Sequence, residues 1–456
     1  MAPELTKEEV AKVAPEVTKD EEQAVAKVKV IKKTSVLPSK KIGKKDTPLT
    51  TFDLPYVTFY YNQKLLLYKG ADFEEMVEKL KEGLGVVLEE FYPLAGRLGK
   101  DEEGVLRIEC DDENVGVEVV EAVAEEVEVE ELAAEEASSV MQEIIPYTNV
   151  MNFEGLHRPL LVVQITKLKD GIAFGCAFNH AVLDGTSTWH FMSSWAEICR
   201  GSTTISVAPF HDRAKARNTR VKLDLPESAE AHENSGEPNG VAPPRLREKI
   251  FRFSETAIGK IKSNVTADPT KSFSTFQSLG VHLWHSVSRA RRHLKPENYT
   301  VFAIFMDCRK RVDPPMPENY FGNLIHAVFT VTAIGYLLSQ PPEMGATMLQ
   351  ACIQAHDSKA INKRNDEWES APKLFRYKDA GINPVAIGSS PRFQVYDIDF
   401  GWGKPVAVRS GTNNKFDGMV YLYQGRGGGK GIDVEITLEA ETMEHLEKDK
   451  EFLMEV

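Results

Sequence analysis

A chain of 456 residues with 42% hydrophobic and 27% charged content can bury a large core, and its length predicts two or three domains. Its net charge of −13 is local: residues 108–157 hold fifteen Asp or Glu and no Lys or Arg, which leaves +2 for the remainder. This excludes nucleic-acid binding as a main role but leaves room for a basic site for a small anion.

Five widely spaced cysteines (Cys110, Cys176, Cys199, Cys308, Cys352), mostly in apolar surroundings, fit reduced packing thiols, with neither a disulfide framework nor a zinc site indicated. No run is apolar enough to span a membrane, and Met1 to Glu22 lacks an apolar signal core. The expectation is a soluble cytoplasmic protein without integral membrane association.

In chain order, residues 1–26 are charged, alanine-rich and free of aromatics, which predicts a disordered extension. A strand is expected near Ala26–Lys33. Phe73, Met76, Val77, Leu80, Leu84, Val87, Leu88 and Phe91 recur at helical spacing, and that helix should end before Tyr92-Pro93. Val105–Cys110 and Val115–Val120 read as short strands. Asp170-Gly171 is a hairpin signal between Pro159–Leu168 and the apolar Gly171–Phe178. After a loop, Thr186 or Ser187 is placed to cap a helix carrying Trp189, Met192, Trp195 and Cys199.

Residues 201–249 turn to Ser, Pro, Asn, Glu and Gly, which predicts a mobile linker. Beyond it come a strand at Ile250–Ser254, a helix over Ser274–His293, a strand at Thr300–Met306 and a long helix near Glu343–Asn362. Three strands follow, at Arg392–Asp399, Gly418–Tyr423 and Ile432–Leu438. The expected organisation is mixed α/β: a first domain over 27–200, a crossover over 201–249 and a second domain over 250–456.

Asn179-His180-Ala181-Val182-Leu183-Asp184-Gly185 places an imidazole where an apolar strand opens into a loop, with a carboxylate four residues on. A histidine held this way suits a general base. The plainer alternative is a hydrogen-bonded core histidine and a turn aspartate. Gly425–Gly431 has the composition of a phosphate loop, but no Ser or Thr follows Lys430 and no helix follows the loop, so it reads as a hairpin turn. His180, Asp184 and His190 do not make a metal set, because His190 falls on the helix and no second group of ligands lies near.

Four motifs in chain order, Tyr92-Pro93-Leu94-Ala95-Gly96-Arg97, His180-Ala-Val-Leu-Asp184-Gly185, Tyr320-Phe321-Gly322-Asn323 and Asp399-Phe400-Gly401-Trp402-Gly403-Lys404-Pro405, resemble those of the plant BAHD acyl-CoA-dependent acyltransferases, relatives of chloramphenicol acetyltransferase. The resemblance runs from about residue 28 to the C-terminus. It implies two similar chloramphenicol acetyltransferase-like α/β domains joined by a long crossover loop, with an active-site channel at their interface and His180 midway along it. Within the family, residues 176–200, 307–323 and 396–404 are most similar to a cuticle-associated member. That implies an acceptor hydroxyl on a hydroxy fatty acid or glycerolipid, in cutin assembly.

The resemblance further implies that acyl-CoA is a co-substrate rather than a bound cofactor, that no metal takes part, and that the protein is a monomer. His180 becomes the catalytic base of a direct transfer. Asp184 turns away from it to pair with Arg309. Asp399, Gly401, Trp402 and Gly403 shape the channel's rear wall, the two glycines where backbone must pass closely. Ser254, Lys260, Lys262 and Ser263 match the part of the family that contacts CoA. Many members carry Thr-Ser-Trp about eleven residues before the Asp399 motif; here Gly388-Ser389-Ser390 stands instead, leaving Ser389 or Ser390 to donate to an oxyanion or touch the acceptor. The alternatives are a hydroxycinnamoyl-type transferase acting on phenolic or amine acceptors, and a catalytically idle scaffold that binds acyl-CoA and partner proteins.

Overall fold

The computed structural model describes residues 27–455 except 71, 114–115, 235–244, 267–269 and 378–379. The extension expected over 1–26 lies outside the described residues. The first half contains β1 (Lys29–Val36), β2 (Lys45–Pro48), β3 (Asn62–Lys69), α1 (Phe73–Val87), β4 (Arg97–Lys100), β5 (Leu106–Cys110), β6 (Val117–Ala124), α2 (Val129–Ala133), α3 (Met141–Ile144), β7 (Leu161–Leu168), β8 (Gly171–Phe178) and α4 (Gly185–Cys199). After α5 (Ala229–Asn234) the second half contains β9 (Leu246–Phe253), α6 (Glu255–Val265), α7 (Thr275–Ala290), β10 (Tyr299–Asp307), β11 (Ile325–Ala333), α8 (Ile334–Ser339), α9 (Pro342–Ala355), α10 (Ser358–Ser370), β12 (Pro384–Ile387), β13 (Ala407–Arg409), β14 (Met419–Gln424), β15 (Ile432–Glu439) and α11 (Ala440–Leu446).

These strands form two six-stranded mixed sheets, ordered β1-β6-β7-β8-β3-β13 and β11-β10-β12-β14-β15-β9, with a small sheet β2-β5-β4 beside the first. The apolar run of β8 is central: it pairs antiparallel with β7 and β3 along its two edges, core side chains pack on both its faces, and Ile172 through Phe178 are buried. Helix α1 starts where the Asp72 carboxylate accepts the Glu75 amide at 2.9 Å. Its apolar stripe packs on α4, where the Trp195 indole donates to Leu80 O at 3.0 Å. No described helix is long and apolar enough to cross a membrane.

The two halves are joined by more than the chain between them. β13, from the second half, adds to the first sheet beside β3. Its Arg409 reaches Glu248 of β9 at 3.2 Å, and Lys415 bridges Glu248 and Glu435 of the second sheet at 2.6 and 3.1 Å. The acidic block has its partners here as well: Glu130 faces Arg426, Glu135 faces Arg252 at 3.0 Å, and Glu136 faces Arg247 at 2.7 Å. Three of the fifteen carboxylates in that block thus clamp the two halves together.

The described crossover is pinned where the composition predicts mobility. Phe210 N donates to Asn319 O at 2.8 Å, and the buried Arg213 guanidinium binds Asp53 at 2.8 Å and Val182 O at 2.6 Å. Two further expectations are corrected. The long helix near 343–362 is two helices, because Asp357 stops one and caps the next by accepting Ala360 N at 2.9 Å. Arg392–Asp399 is a loop with a 3-10 turn at Val395–Asp397; its buried residues Val395, Ile398 and Phe400 are unevenly spaced and pack without pairing.

Candidate active site

The loop after β8 is fixed by side-chain amides. Asn179 Nδ2 donates to Asn152 O at 2.7 Å, and Asn152 Oδ1 accepts the His180 amide at 2.8 Å. From the second half, Asn323 Nδ2 donates to His180 O at 2.8 Å, while Asp53 Oδ1 accepts Asn323 N at 3.1 Å. His180 is therefore clamped through its backbone on both sides, leaving the ring to be set by packing. The imidazole stacks on Tyr56, with centroids 4.9 Å apart and planes 8° from parallel, and Phe59 tilts against it at 6.4 Å. Its Nδ1 is buried with no well-formed hydrogen bond. Burial pushes the His180 pKa below its ordinary 6.5, outweighing the opposing pull of its own carbonyl and of Asp184, so the ring is neutral at physiological pH.

Asp184 makes no hydrogen bond to His180. Oδ1 accepts from Ser187 N at 3.0 Å and Arg309 Nη2 at 3.0 Å; Oδ2 accepts from Arg309 Nη1 at 2.8 Å and Leu324 N at 3.0 Å. Both partners are buried. Burial alone would raise the Asp184 pKa, but the Arg309 guanidinium and these donors hold it below the usual carboxylate value. The helix cap is thus Asp184, which replaces the expected Thr186 or Ser187, and the same side chain ties α4 to Arg309.

Beside this loop lies a cavity of about 730 Å³. Its wall is mainly apolar and aromatic, including Tyr56, Phe59, Phe305 and Phe375, with Arg364, Lys373 and Arg376 as cations. Tyr56, whose ring stacks on the His180 imidazole, lines this cavity.

The Asp399 motif is a self-contained turn. Asp399 Oδ1 accepts the Gly401 and Gly403 amides at 2.7 and 3.0 Å, and Trp402 stacks on Phe400 with centroids 5.6 Å apart. Gly401 and Gly403 adopt φ of +113° and +102°. Nothing lies within 4 Å of a Cβ built at Gly403, and at Gly401 only ordinary contacts at 3.8 Å or more, so left-handed backbone and not close approach demands glycine. Phe400 is buried against Phe174 and Trp195. The motif makes no hydrogen bond or ring contact with His180.

Ser389 is committed elsewhere: its hydroxyl donates to Leu422 O and accepts from Leu422 N, both at 2.7 Å. Ser390 Oγ accepts from Arg392 N at 3.3 Å, and neither serine lines the cavity. Ser389→Ala should therefore lower kcat by less than about tenfold, where loss of an oxyanion donor costs about 10²–10³. It should cost about 1 kcal/mol in urea unfolding. A hundredfold fall in kcat with unchanged stability would restore the oxyanion role.

The expected CoA contacts share one helix. Ser254 caps α6 by accepting Ala257 N at 3.1 Å, Ser263 donates to Gly259 O at 3.1 Å, and Lys260 and Lys262 are exposed on it. The 425–431 turn lies beside this end, with Lys430 Nζ 3.4 Å from Glu255 Oε1. None of the four lines the cavity. His190 binds Val207 O at 2.8 Å and does not join His180. Asp53, Arg213, Asn152 and Asn323 complete the loop's support and went unread in the sequence as contacts. Only Thr50-x-x-Asp53, a local capping pattern, hinted at one of them.

The chain matches the Transferase family model over residues 26–453. It is 58% identical to BAHD acyltransferase DCR of Arabidopsis thaliana, over 94% of this chain and 93% of that protein. It is 33% identical to hydroxycinnamoyl-CoA:5-hydroxyanthranilate N-hydroxycinnamoyltransferase of Avena sativa, over 81% of this chain and 86% of that one. Among solved structures, vinorine synthase superposes with a TM-score of 0.72 at 22% identity, covering 94% of this chain and 98% of its own. F. sporotrichioides TRI101, solved with coenzyme A and T-2, gives 0.70 at 19% identity, covering 90% and 98%. With its two mixed sheets and the His180 loop between elements of both halves, the chain belongs to the BAHD acyltransferases of the Transferase family.

Proposed function

We propose that this acyltransferase takes its acyl group from acyl-CoA and delivers it to the hydroxyl of an amphipathic aliphatic acceptor, of hydroxy fatty acid or glycerolipid type, in cutin and cuticle biosynthesis. The observation that carries the reading is a neutral imidazole clamped beside a large apolar cavity. An aliphatic hydroxyl is a weak nucleophile. His180 takes its proton as the oxygen attacks the thioester carbonyl, and the imidazolium returns that proton to the departing CoA thiolate when the tetrahedral intermediate collapses. Cys176 and Cys308 are buried and burial pushes both thiols up, Cys308 to about 12, which supports direct transfer over an acyl-enzyme.

Asp184 and Arg309 act as positioning residues, and the Asp399 motif as an anchor. Ser254, Lys260, Lys262 and Ser263 on α6 offer a cap, hydroxyls and cations for the CoA phosphates. The reading includes domains at 27–200 and 250–456 joined by the 201–249 crossover, and a cytoplasmic monomer acting on small molecules and lipids rather than nucleic acid.

Since only the unprotonated imidazole is a base, kcat/KM should rise with pH through the His180 pKa and be flat above it. With that pKa lowered, the acid limb should lie below 6.5. A pH profile from about pH 5 to about pH 8 tests this; a limb centred above neutrality contradicts it.

A second reading, transfer to a phenolic or amine acceptor, draws support from the aromatic wall, where Phe59 and Phe375 stack with centroids 4.4 Å apart. Incubation with acyl-CoAs and hydroxy fatty acid, glycerolipid and phenolic acceptors in competition, with product masses read out, separates the two. Esters of aliphatic acceptors support the first; exclusive phenolic or amide products replace it with the second.

A further inference from the structure

We propose that Cys308, His326 and His356 form a binding site for one borderline transition-metal cation, Zn(II) by its donor set, in the wall of the acceptor cavity. The three come from separate elements: Cys308 follows β10, His326 is the second residue of β11, and His356 ends α9 at its break with α10. His326 and His356 are 30 residues apart and Cys308 and His356 48 apart, so no spacing motif announces them. Folding nonetheless brings one donor atom of each within 4.8 Å of the others. His356 Nε2 lies 3.2 Å from His326 Nδ1 and 3.9 Å from Cys308 Sγ. Tetrahedral zinc sets ligand nitrogens about 3.3 Å apart and sulfur about 3.5 Å from nitrogen, given bonds of about 2.0 and 2.3 Å. The imidazole pair is already at that spacing; the sulfur, 3.9 Å from His356 Nε2 and within 4.8 Å of the His326 donor nitrogen, must close on both nitrogens, which a χ1 adjustment of Cys308 supplies.

The surroundings suit a ligand set. His326 Nε2 lies 3.1 Å from Asn365 Oδ1, which holds its N–H and leaves the Nδ1 lone pair for the centre, the arrangement of outer-shell partners at zinc histidines. The corner carrying His356 is fixed by Arg311, whose guanidinium donates to Ile353 O at 2.9 Å and His356 O at 3.0 Å. Phe52 stacks on His326 with centroids 4.9 Å apart, and all three donors are buried.

A thiol with two imidazoles selects zinc or copper over magnesium or calcium. Binding displaces the Cys308 proton to solvent, so the site gains one net positive charge, against which the nearby Arg364 and Arg311 guanidinia act. His326 lines the cavity and gives the ion a path in. Three protein ligands leave a fourth position for water or an anion. An ion here ties β10, β11 and the α9–α10 corner together directly beside Arg309, the partner of Asp184.

The test uses untagged, full-length protein. One equivalent of Co(II) should produce a thiolate-to-cobalt charge-transfer band that Zn(II) bleaches, and Cys308→Ser should abolish the band. Competition with a chromophoric chelator should show Zn(II) affinity falling about tenfold or more in Cys308→Ser and in His356→Gln. Thermal melting checks that both variants fold. Absence of the band in the wild type, which depends on no variant, overturns the proposal, as does a band that survives in folded Cys308→Ser. Saturation by Cu(I) with no Zn(II) or Co(II) binding likewise overturns the zinc assignment.

Discussion

His180→Ala is expected to reduce kcat/KM by about 10²–10⁴, the range a positioned general base supplies, with little change in KM for acyl-CoA. The ring makes no hydrogen bond that the fold needs: the loop is held through the His180 amide and carbonyl, by Asn152 and Asn323, and an alanine keeps both. The cost to stability is limited to the ring contacts with Tyr56 and Phe59. Circular dichroism and urea unfolding should therefore show a folded protein, and steady-state kinetics the loss. A variant that transfers at wild-type rate removes His180 from the mechanism.

The second large effect separates positioning from chemistry. Asp184→Ala leaves the buried Arg309 guanidinium with only the half-exposed Asp307 carboxylate, 3.2 Å from Nη1, and leaves Leu324 N and Ser187 N without their acceptor. Breaking such a pair costs about 3–5 kcal/mol. The resulting protein should be poorly folded, so lost activity alone would say nothing about a triad. The informative comparison is the double replacement Asp184→Leu with Arg309→Met, which removes both charges and should be more stable than Asp184→Ala. If the double variant is instead less stable than either single one, the pair is not a self-contained unit.

The sign of the pH dependence follows from the same geometry. The Asp184 pKa is depressed in the folded state, so its stabilisation is complete above the unfolded value near 3.8 and is lost as pH falls through the lower folded value. Acid loss of activity that sets in below pH 6.5 and above the Asp184 range near 3.8 therefore belongs to His180 and not to unfolding at Asp184. Activity and near-ultraviolet circular dichroism, measured on the same samples, should part company over that range.

The β7–β8 hairpin, α1, α4 and α7 were legible because their apolar residues sit at the spacing of their own element. β11 was not, because its pattern is inverted: the inward positions include His326, Thr330 and Thr332, while Phe329 and Val331 face outward at 50% and 54% exposure. The sequence marked His180 by its place at the end of a strand. The pairing of Asp184 with Arg309, across 125 residues, came from family resemblance; neither spacing nor composition contains it. Lys249 and Arg252 gave no sign that they meet the acidic block, since charge counts along a chain do not say which charges fold onto each other. Ser389 shows the reverse case: its hydroxyl is bonded on both sides by Leu422 of β14, partners that no sequence pattern announced.

The most direct test of direct transfer by a His180 base is to mix the intact protein with acyl-CoA, with and without a hydroxylated aliphatic acceptor, and follow protein mass, free CoA and product mass together. The account predicts unmodified protein throughout, CoA released only when acceptor is present, and an ester whose mass is acceptor plus acyl group less one hydrogen. Stoichiometric acylation of the protein in the absence of acceptor, or no acceptor-dependent CoA release from folded protein with any hydroxylated partner, would contradict it.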